Sequence, residues 1–246
     1  MAYHNNPRIT TDGLVCCLDA NAKRSYSGSG STWSDLTSNQ YSGTISGATY
    51  NSSGYFDFDG TDDKVDLNVR TVNSLATYSI SFWVNFDTWV TSNSGYGNIY
   101  VEESGLWIAN YYDKIGFDFH NGYNWIDGNG GTVDGLQITV PQADQTGSWL
   151  HVAVTYSGST SSTSANITGY LNGSQNFQVT TSYASGSNSQ IASNGSTTNQ
   201  GGIGYRKSYN SFYFNGKIAN MSMYNKALSS AEVSQNYNAH KTRFGL

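Results

Sequence analysis

Apolar and polar residues alternate with period two along most of the chain. In YSISFWVNF (Tyr78–Phe86), Ile80, Phe82, Val84 and Phe86 fall on one side. In WLHVAVTY (Trp149–Tyr156), Val152 and Val154 do the same. Such alternation marks an antiparallel strand with two unlike faces. Related runs predict strands in GLVCCLDA (Gly13–Ala20), YFDFDG (Tyr55–Gly60), KVDLNV (Lys64–Val69), GLWIANYY (Gly105–Tyr112) and KIGFDFH (Lys114–His120). Further strands are expected in LQITV (Leu136–Val140), NITGYLNG (Asn166–Gly173), NFQVTT (Asn176–Thr181), GGIGYR (Gly201–Arg206) and FNGKIANMSMYN (Phe214–Asn225). Clusters of Gly, Ser, Asn and Asp separate them, as turns require, and Asn172-Gly173 fits a tight hairpin turn. One helix is predicted near the C-terminus, where Ser229-x-x-Glu232 forms a capping box ahead of a run free of Gly and Pro. Short alternating strands with one small helix define an all-β, two-sheet antiparallel sandwich. A doubly wound α/β fold is excluded, because no helical pattern separates the strands.

Domain organisation follows from the same pattern. Residues 13–236 read as one domain, with a polar N-terminal arm at 1–12 and a C-terminal tail at 237–246. Two polar, low-complexity stretches, Ser157–Ser164 and Ser182–Gly202, read as long loops.

Charge narrows the function classes. The formal net charge is -5, and no Lys or Arg lies between Lys114 and Arg206. A basic stripe for nucleic acid is therefore not expected. No run reaches the ~20 apolar residues of a membrane span, and the N-terminus lacks the apolar stretch of a signal peptide. Cys16 and Cys17 are adjacent, with Cα atoms about 3.8 Å apart, too close for an unstrained disulfide. They are expected to stay free thiols on opposite faces of a strand.

FDFDGTDDKVDL (Phe56–Leu67) concentrates five carboxylates. Alternation sends Phe56, Phe58, Val65 and Leu67 inward and Asp57, Asp59 and Asp66 outward, and Gly60–Asp63 makes a turn. The stretch does not match an EF-hand, whose sixth and twelfth positions from Asp57 would fall on Asp62 and Asn68. No metal site is expected.

Catalytic chemistry is weakly represented. The chain has three Glu: Glu102 and Glu103, which diverge on a strand, and Glu232 in the helix. No nucleophile elbow, phosphate-binding loop or zinc-binding histidine pair occurs. Binding chemistry is better represented. HNGYNWIDGNGG (His120–Gly131) places Tyr123 and Trp125 beside Asp127, the mixture of ring and polar group that sugar sites use. Tyr209, with Tyr96, Tyr111, Tyr112, Tyr183 and Tyr213, could extend such a surface. Trp33, Trp83 and Trp149 are expected in the core. Tyr3 and Arg8 in one arm, and Arg243 and Phe244 in the other, are residue types suited to docking on a partner.

Five blocks in order resemble the laminin-G-like, concanavalin-A-like jelly-roll family. They are Trp33–Ile45, Phe56–Leu67, Tyr78–Phe86, Trp149–Ser174 and Phe214–Val233. The resemblance implies a jelly roll whose first and penultimate strands meet in one sheet. Some members of the family bind calcium through acidic residues in the block that here reads KIANMSMY, where Ala219 and Asn220 stand instead. The opening Leu14–Leu36 and the closing Ala227–Leu246 resemble the version found in virion proteins of tailed phages, especially those of cyanobacteria. That resemblance implies a non-enzymatic virion protein, a capsid decoration (cement) protein or fibre component assembled in the host cytoplasm. Its implied partners are the major capsid protein or fibre and tail proteins, with further copies of the chain and glycan as additional candidates. No cofactor is implied. A lectin-like module for host glycans is the alternative, and a polysaccharide lyase or hydrolase the weaker one.

Overall fold

A computed structural model describes residues 8–69, 75–91, 96–102, 106–111, 114–120, 125–126, 136–158, 164–182 and 200–246. Its strands are β1 (Leu14–Asp19), β2 (Thr32–Trp33), β3 (Gly43–Ser46), β4 (Thr49–Asn51), β5 (Tyr55–Asp59), β6 (Lys64–Leu67), β7 (Thr77–Phe86), β8 (Gly97–Glu102) and β9 (Leu106–Tyr111). They continue with β10 (Lys114–His120), β11 (Trp125–Ile126), β12 (Gln137–Thr139), β13 (Trp149–Ser157), β14 (Ser164–Leu171), β15 (Ser174–Ser182), β16 (Gly202–Ile203) and β17 (Asn215–Tyr224). Helix α1 covers Ser230–His240. No described helix is long and apolar enough to cross a membrane.

The strands form the two antiparallel sheets that alternation requires. The first runs β15-β14-β13-β7-β17-β5-β4, with β1 added beside β17. The second runs β11-β10-β9-β8-β16-β6-β3-β2, with β12 beside β10. β7 pairs with β17 on one side and β13 on the other. β17 changes its second neighbour at a bulge between Ile218 and Asn220. Residues Asn215–Ile218 pair with β5, and Asn220–Tyr224 pair with β1. The first strand therefore meets the last strand, not the penultimate one. Asn172 and Gly173 both take positive φ in the β14–β15 hairpin, the geometry of a tight primed turn.

The core lies between the sheets. Phe56, Phe58, Val65, Leu67, Ile80, Phe82, Val84, Ile108, Phe117, Val152 and Val154 are all buried there. Burial of this kind contributes about 1.5–3 kcal/mol per large apolar side chain. Cys16 joins this core, whereas Cys17 faces the other way, where the Ser222 hydroxyl reaches its sulfur. Both thiols are free, and burial pushes the Cys17 thiol up to about 11.

The outer face of the first sheet is also covered. The capping box at Ser229 and Glu232 starts α1, and Lys226 joins Glu232 to Asp12. Asn236 accepts the Thr10 N–H at 2.8 Å and donates to the Tyr224 hydroxyl, which in turn bonds the Thr10 carbonyl. The two ends of the described chain thus close over one sheet. Beyond α1, Phe244 lies between Trp83 and Trp149, with ring centroids 4.3 Å and 4.5 Å away, and Tyr237 stacks on Trp83 at 5.7 Å. Arg243 holds Asp19 at 2.8 Å and also bonds the Gly54 carbonyl.

This arrangement changes the reading of the tryptophans. Trp33 sits in the inter-sheet core as expected. Trp83 is equally buried, but on the opposite face of β7 from Phe82 and Val84, because it occupies an odd position in the alternation. Trp149 is half-buried.

Trp83→Ala removes the platform for Phe244 and Tyr237, and a loss of about 3–5 kcal/mol is expected. Combined with Phe244→Ala, the loss should fall short of the sum, because the rings share one contact. Denaturant midpoints of both single variants and the double variant check this.

Candidate functional site

Three groups of side chains have the chemistry of a site. The first is a serine–histidine pair on the first sheet. Ser81 on β7 and His151 on β13 stand opposite neighbouring register positions, and Ser81 Oγ lies 2.8 Å from His151 Nε2. His151 is fully enclosed between the sheet and α1, in a small polar space also lined by Trp83, Asn220, Asn236 and His240. Burial, with His240 adding to it, lowers the His151 pKa to about 3. The imidazole is therefore neutral and out of substrate's reach, and the pair is structural.

The second group is the acidic turn. Asp59, Asp62 and Asp63 offer carboxylate oxygens within 4.8 Å of one another. Turn chemistry occupies two of them. Asp63 accepts the Asp59 N–H at 2.9 Å, and Asp59 accepts the Thr61 N–H at 2.7 Å. Burial pushes the Asp63 carboxyl up, the Asp59 N–H opposes that, and the neighbouring carboxylates add to the rise.

The third group lies on the outer face of the second sheet. On β9, Leu106 and Ile108 point into the core, which leaves Trp107, Ala109 and Tyr111 outside. On β10, Ile115, Phe117 and Phe119 point inward, which leaves Gly116 and Asp118 outside. With Tyr96, these residues line a shallow, water-sized depression of about 10 Å³, in which Ala109, Tyr111 and Gly116 are buried and Tyr96, Trp107 and Asp118 are half-buried. Ala109 and Gly116 are small enough to form its floor. A Cβ at Gly116 would already stand 3.2 Å from the Tyr111 ring. Tyr96 is the hub, with ring centroids 5.0 Å from Trp107, 5.3 Å from Tyr111 and 5.5 Å from Phe212. The Trp107 indole N–H donates to Asn98, which fixes the ring.

The segment between β16 and β17 forms the rim. Arg206 lays its guanidinium 4.8 Å over Trp107 and 4.4 Å from the Tyr209 ring. Tyr209 and Phe212 are 64% and 38% exposed, which leaves two large rings in solvent beside the depression. Asn210 and Phe212 have φ of 48° and 58°. A bulky residue in the left-handed region is uncommon and persists only where its surroundings hold it. Behind the rim, Tyr205 donates to Asp66, Lys207 pairs with Asp66 at 3.0 Å, and Tyr213 stacks on Tyr205. Burial first, and Asp66 second, push the Tyr205 hydroxyl far above its ordinary value, so it stays a donor.

Of the expected ligand residues, Tyr209 is at this rim, while Tyr123, Asp127 and the Trp125 side chain lie outside the described residues. The backbone of Trp125 pairs with His120 at the edge of the same sheet. Among the supporting tyrosines, Tyr96 and Tyr111 line the depression, Tyr213 packs behind the rim, and Tyr112 and Tyr183 fall outside the described residues. Of the expected docking residues, Tyr3 is outside the described residues, and the Arg8 carbonyl accepts from Gln235 at 2.7 Å. Arg243 and Phe244 are engaged within the chain, as described above, because the tail folds back over Trp83. Sequence reasoning missed Trp107 and Arg206. The signal for Trp107 was present, since alternation in GLWIANYY sets it opposite Leu106 and Ile108. No sequence signal brings Arg206 over it.

Fold and site together define a jelly-roll sandwich of the lectin and glucanase type. The chain belongs to the Laminin_G_3 family, the concanavalin A-like lectin/glucanases superfamily, whose pattern matches residues 59–234. No curated protein sequence matches the chain. Among solved structures, it is similar to domain 4 of AbnA, an extracellular arabinanase from Geobacillus stearothermophilus in complex with arabinotriose. That similarity has a TM-score of 0.60 and 18% identity, over 91% of this chain and 98% of the other. It is also similar to the binding domain of botulinum neurotoxin DC in complex with rat synaptotagmin II, with a TM-score of 0.61 and 16% identity, over 92% of this chain. This chain spans about half of that domain, 51% of its length. A third similar structure is a Trypanosoma rangeli sialidase in complex with sialic acid, with a TM-score of 0.59 and 15% identity, over 96% of this chain and 34% of the other. At these identities the likeness is one of fold.

The buried histidine carries a consequence for stability. Its folded pKa lies below the unfolded value of 6.5, so the folded state binds fewer protons between about pH 3 and 6.5. Stability should be full above pH 6.5 and fall as the pH drops through that window, by up to about 1.4 kcal/mol per unit. His151→Asn should flatten the slope of unfolding free energy against pH. An unchanged slope would show that another group controls it.

Proposed function

We propose that this chain is a non-enzymatic glycan-binding module, with the depression on the second sheet as its binding site. The observation that carries this reading is the convergence of Tyr96, Trp107 and Tyr111 around a floor of Ala109 and Gly116. The half-buried Tyr96 and Trp107 rings beside short-chained Ala109 and Gly116 suit the apolar face of a sugar ring, and the Asp118 carboxylate suits its hydroxyls. Membership in a family of lectins and glucanases supports carbohydrate as the ligand. Glycoside hydrolysis ordinarily uses two carboxyl groups flanking the bond. Among the described lining residues, Asp118 is the one carboxylate. Glu232 is committed to the helix cap, and Glu102 is buried in contact with the Tyr100 hydroxyl. Binding without turnover therefore fits the described residues better than hydrolysis or elimination.

A second reading concerns where the module works. Leu14–Leu36 and Ala227–Leu246 resemble phage virion proteins. This supports a place on a capsid or fibre, as a decoration protein bound to other virion proteins and assembled in the host cytoplasm. The two readings combine, since a decoration protein can carry a sugar-binding face.

The chain should bind a subset of saccharides on a glycan array, release no product from them, and lose binding in a Trp107→Ala variant that circular dichroism shows to be folded. Binding unaffected by Trp107→Ala would place the site elsewhere. For the second reading, the chain should pellet with phage capsids or fibres. If it stays in the supernatant with both, the virion role fails and the glycan reading stands.

A further inference from the structure

We infer that the polar space beneath α1 is a binding site for one water molecule, held by Trp83, His151 and Asn220, and that this water fixes which imidazole nitrogen of His151 carries the proton. The inference is independent of the glycan reading and concerns the other sheet.

Three neighbouring strands bring the site together. Asn220 on β17 pairs with Trp83 on β7, and Trp83 pairs with His151 on β13. Residues directly opposite one another in a sheet share a face, with Cβ atoms about 4.5–5.5 Å apart. The three side chains therefore form one row on the outer face of the first sheet, where the Trp83 and His151 ring centroids are 5.3 Å apart. Ile9, Asn236 and His240 close over this row. All three members of the row are buried. The space between them measures about 10 Å³, which suits a single water and excludes a larger ligand.

Each member of the row carries a polar atom in need of a partner. Trp83 Nε1, His151 Nδ1 and Asn220 Nδ2 are buried and bond to no atom of the described residues. Buried polar groups in native proteins rarely stay unpaired. The other polar groups around the space are already engaged. Asn236 bonds Thr10 and Tyr224 through the two ends of its amide, the Ser222 hydroxyl reaches the Cys17 sulfur, and Ser81 meets the second imidazole nitrogen. His240 lies 3.9 Å from Asp19. The partner that satisfies the row therefore comes from solvent.

The donor set selects water among small solutes. Trp83 Nε1 and Asn220 Nδ2 only donate, so the occupant accepts twice. A water does this with its two lone pairs and has protons left to give, one of which His151 Nδ1 accepts. The neutral imidazole then carries its own proton on Nε2 and donates it to Ser81 Oγ at 2.8 Å. A halide would also accept from Trp83 and Asn220, but it gives nothing to Nδ1. It calls for the opposite tautomer, with the proton on Nδ1 and the Ser81 hydroxyl donating to Nε2. A cation is disfavoured by the two N–H donors.

The test is NMR of the nitrogen-15-labelled full chain at pH 7. Long-range nitrogen–proton correlation in the imidazole ring should place the His151 proton on Nε2. The Trp83 indole proton should show a dipolar cross-peak to water. Asn220→Leu removes the amide donors and fills the space, so the cross-peak should vanish in a variant that circular dichroism shows to be folded. A His151 proton on Nδ1 overturns the water, and signals of Trp83 and His151 that then shift on chloride titration assign the space to an anion. A wild-type chain without the water cross-peak overturns the site. A cross-peak that survives in folded Asn220→Leu puts the water outside the row and overturns the site as well. If Asn220→Leu does not fold, the two wild-type measurements decide the matter on their own.

Discussion

The structure depends on burial of both faces of one strand. β7 pairs with β13 and β17 along nearly its full length, and every residue from Tyr78 to Phe86 is buried. Its inner face, Ile80, Phe82, Val84 and Phe86, forms the centre of the sandwich. Its outer face presents Ser79, Ser81, Trp83 and Asn85, a surface too polar for a core and too enclosed for water. The C-terminal segment resolves this conflict. It supplies rings for Trp83 and leaves Ser81 and His151 to bond each other. Ser79 bonds the Lys226 carbonyl and the Leu228 N–H, which ties the approach to α1 onto the same face. Without that cover, the central strand would expose an indole and a row of backbone-like polar groups.

On the second sheet, the outward residues of β9 and β10 form the aromatic face lined by Tyr96, Trp107 and Tyr111. The alternation that builds the core also builds this face, because each inward Ile or Phe fixes an outward neighbour. Core and site are thus set by one pattern read on its two sides. What the pattern does not set is the rim, which comes from a connection far away in sequence.

Much of this was legible beforehand. The sandwich, the helix start at Ser229 and the inward set Phe56, Phe58, Val65 and Leu67 follow from local rules of period, capping and turn. The misplacement of Trp83 arose because hydrophobicity and parity disagree at that position. An indole suggests the core, whereas its odd place in the strand points to the other face. The fate of Arg243 and Phe244 was hidden for a different reason. A short polar tail carries no periodicity, and its partners Asp19, Trp83 and Trp149 lie far upstream. The stack of Trp107, Arg206 and Tyr209 is likewise a matter of topology, since β16 joins β8 and brings the following loop across the sheet.

The closure of both chain ends over the first sheet has a consequence for how the module is presented. Thr10 is bonded to Asn236, and Arg8 to Gln235, so the ends of the described chain meet on one side of the sandwich. The aromatic depression lies on the outer face of the other sheet. Anything that grips the module by its ends leaves the aromatic face turned outward, like a coin glued by its back. On the proposed reading, tether and recognition are mechanically separate, and copies set side by side on a surface would expose the same face in parallel.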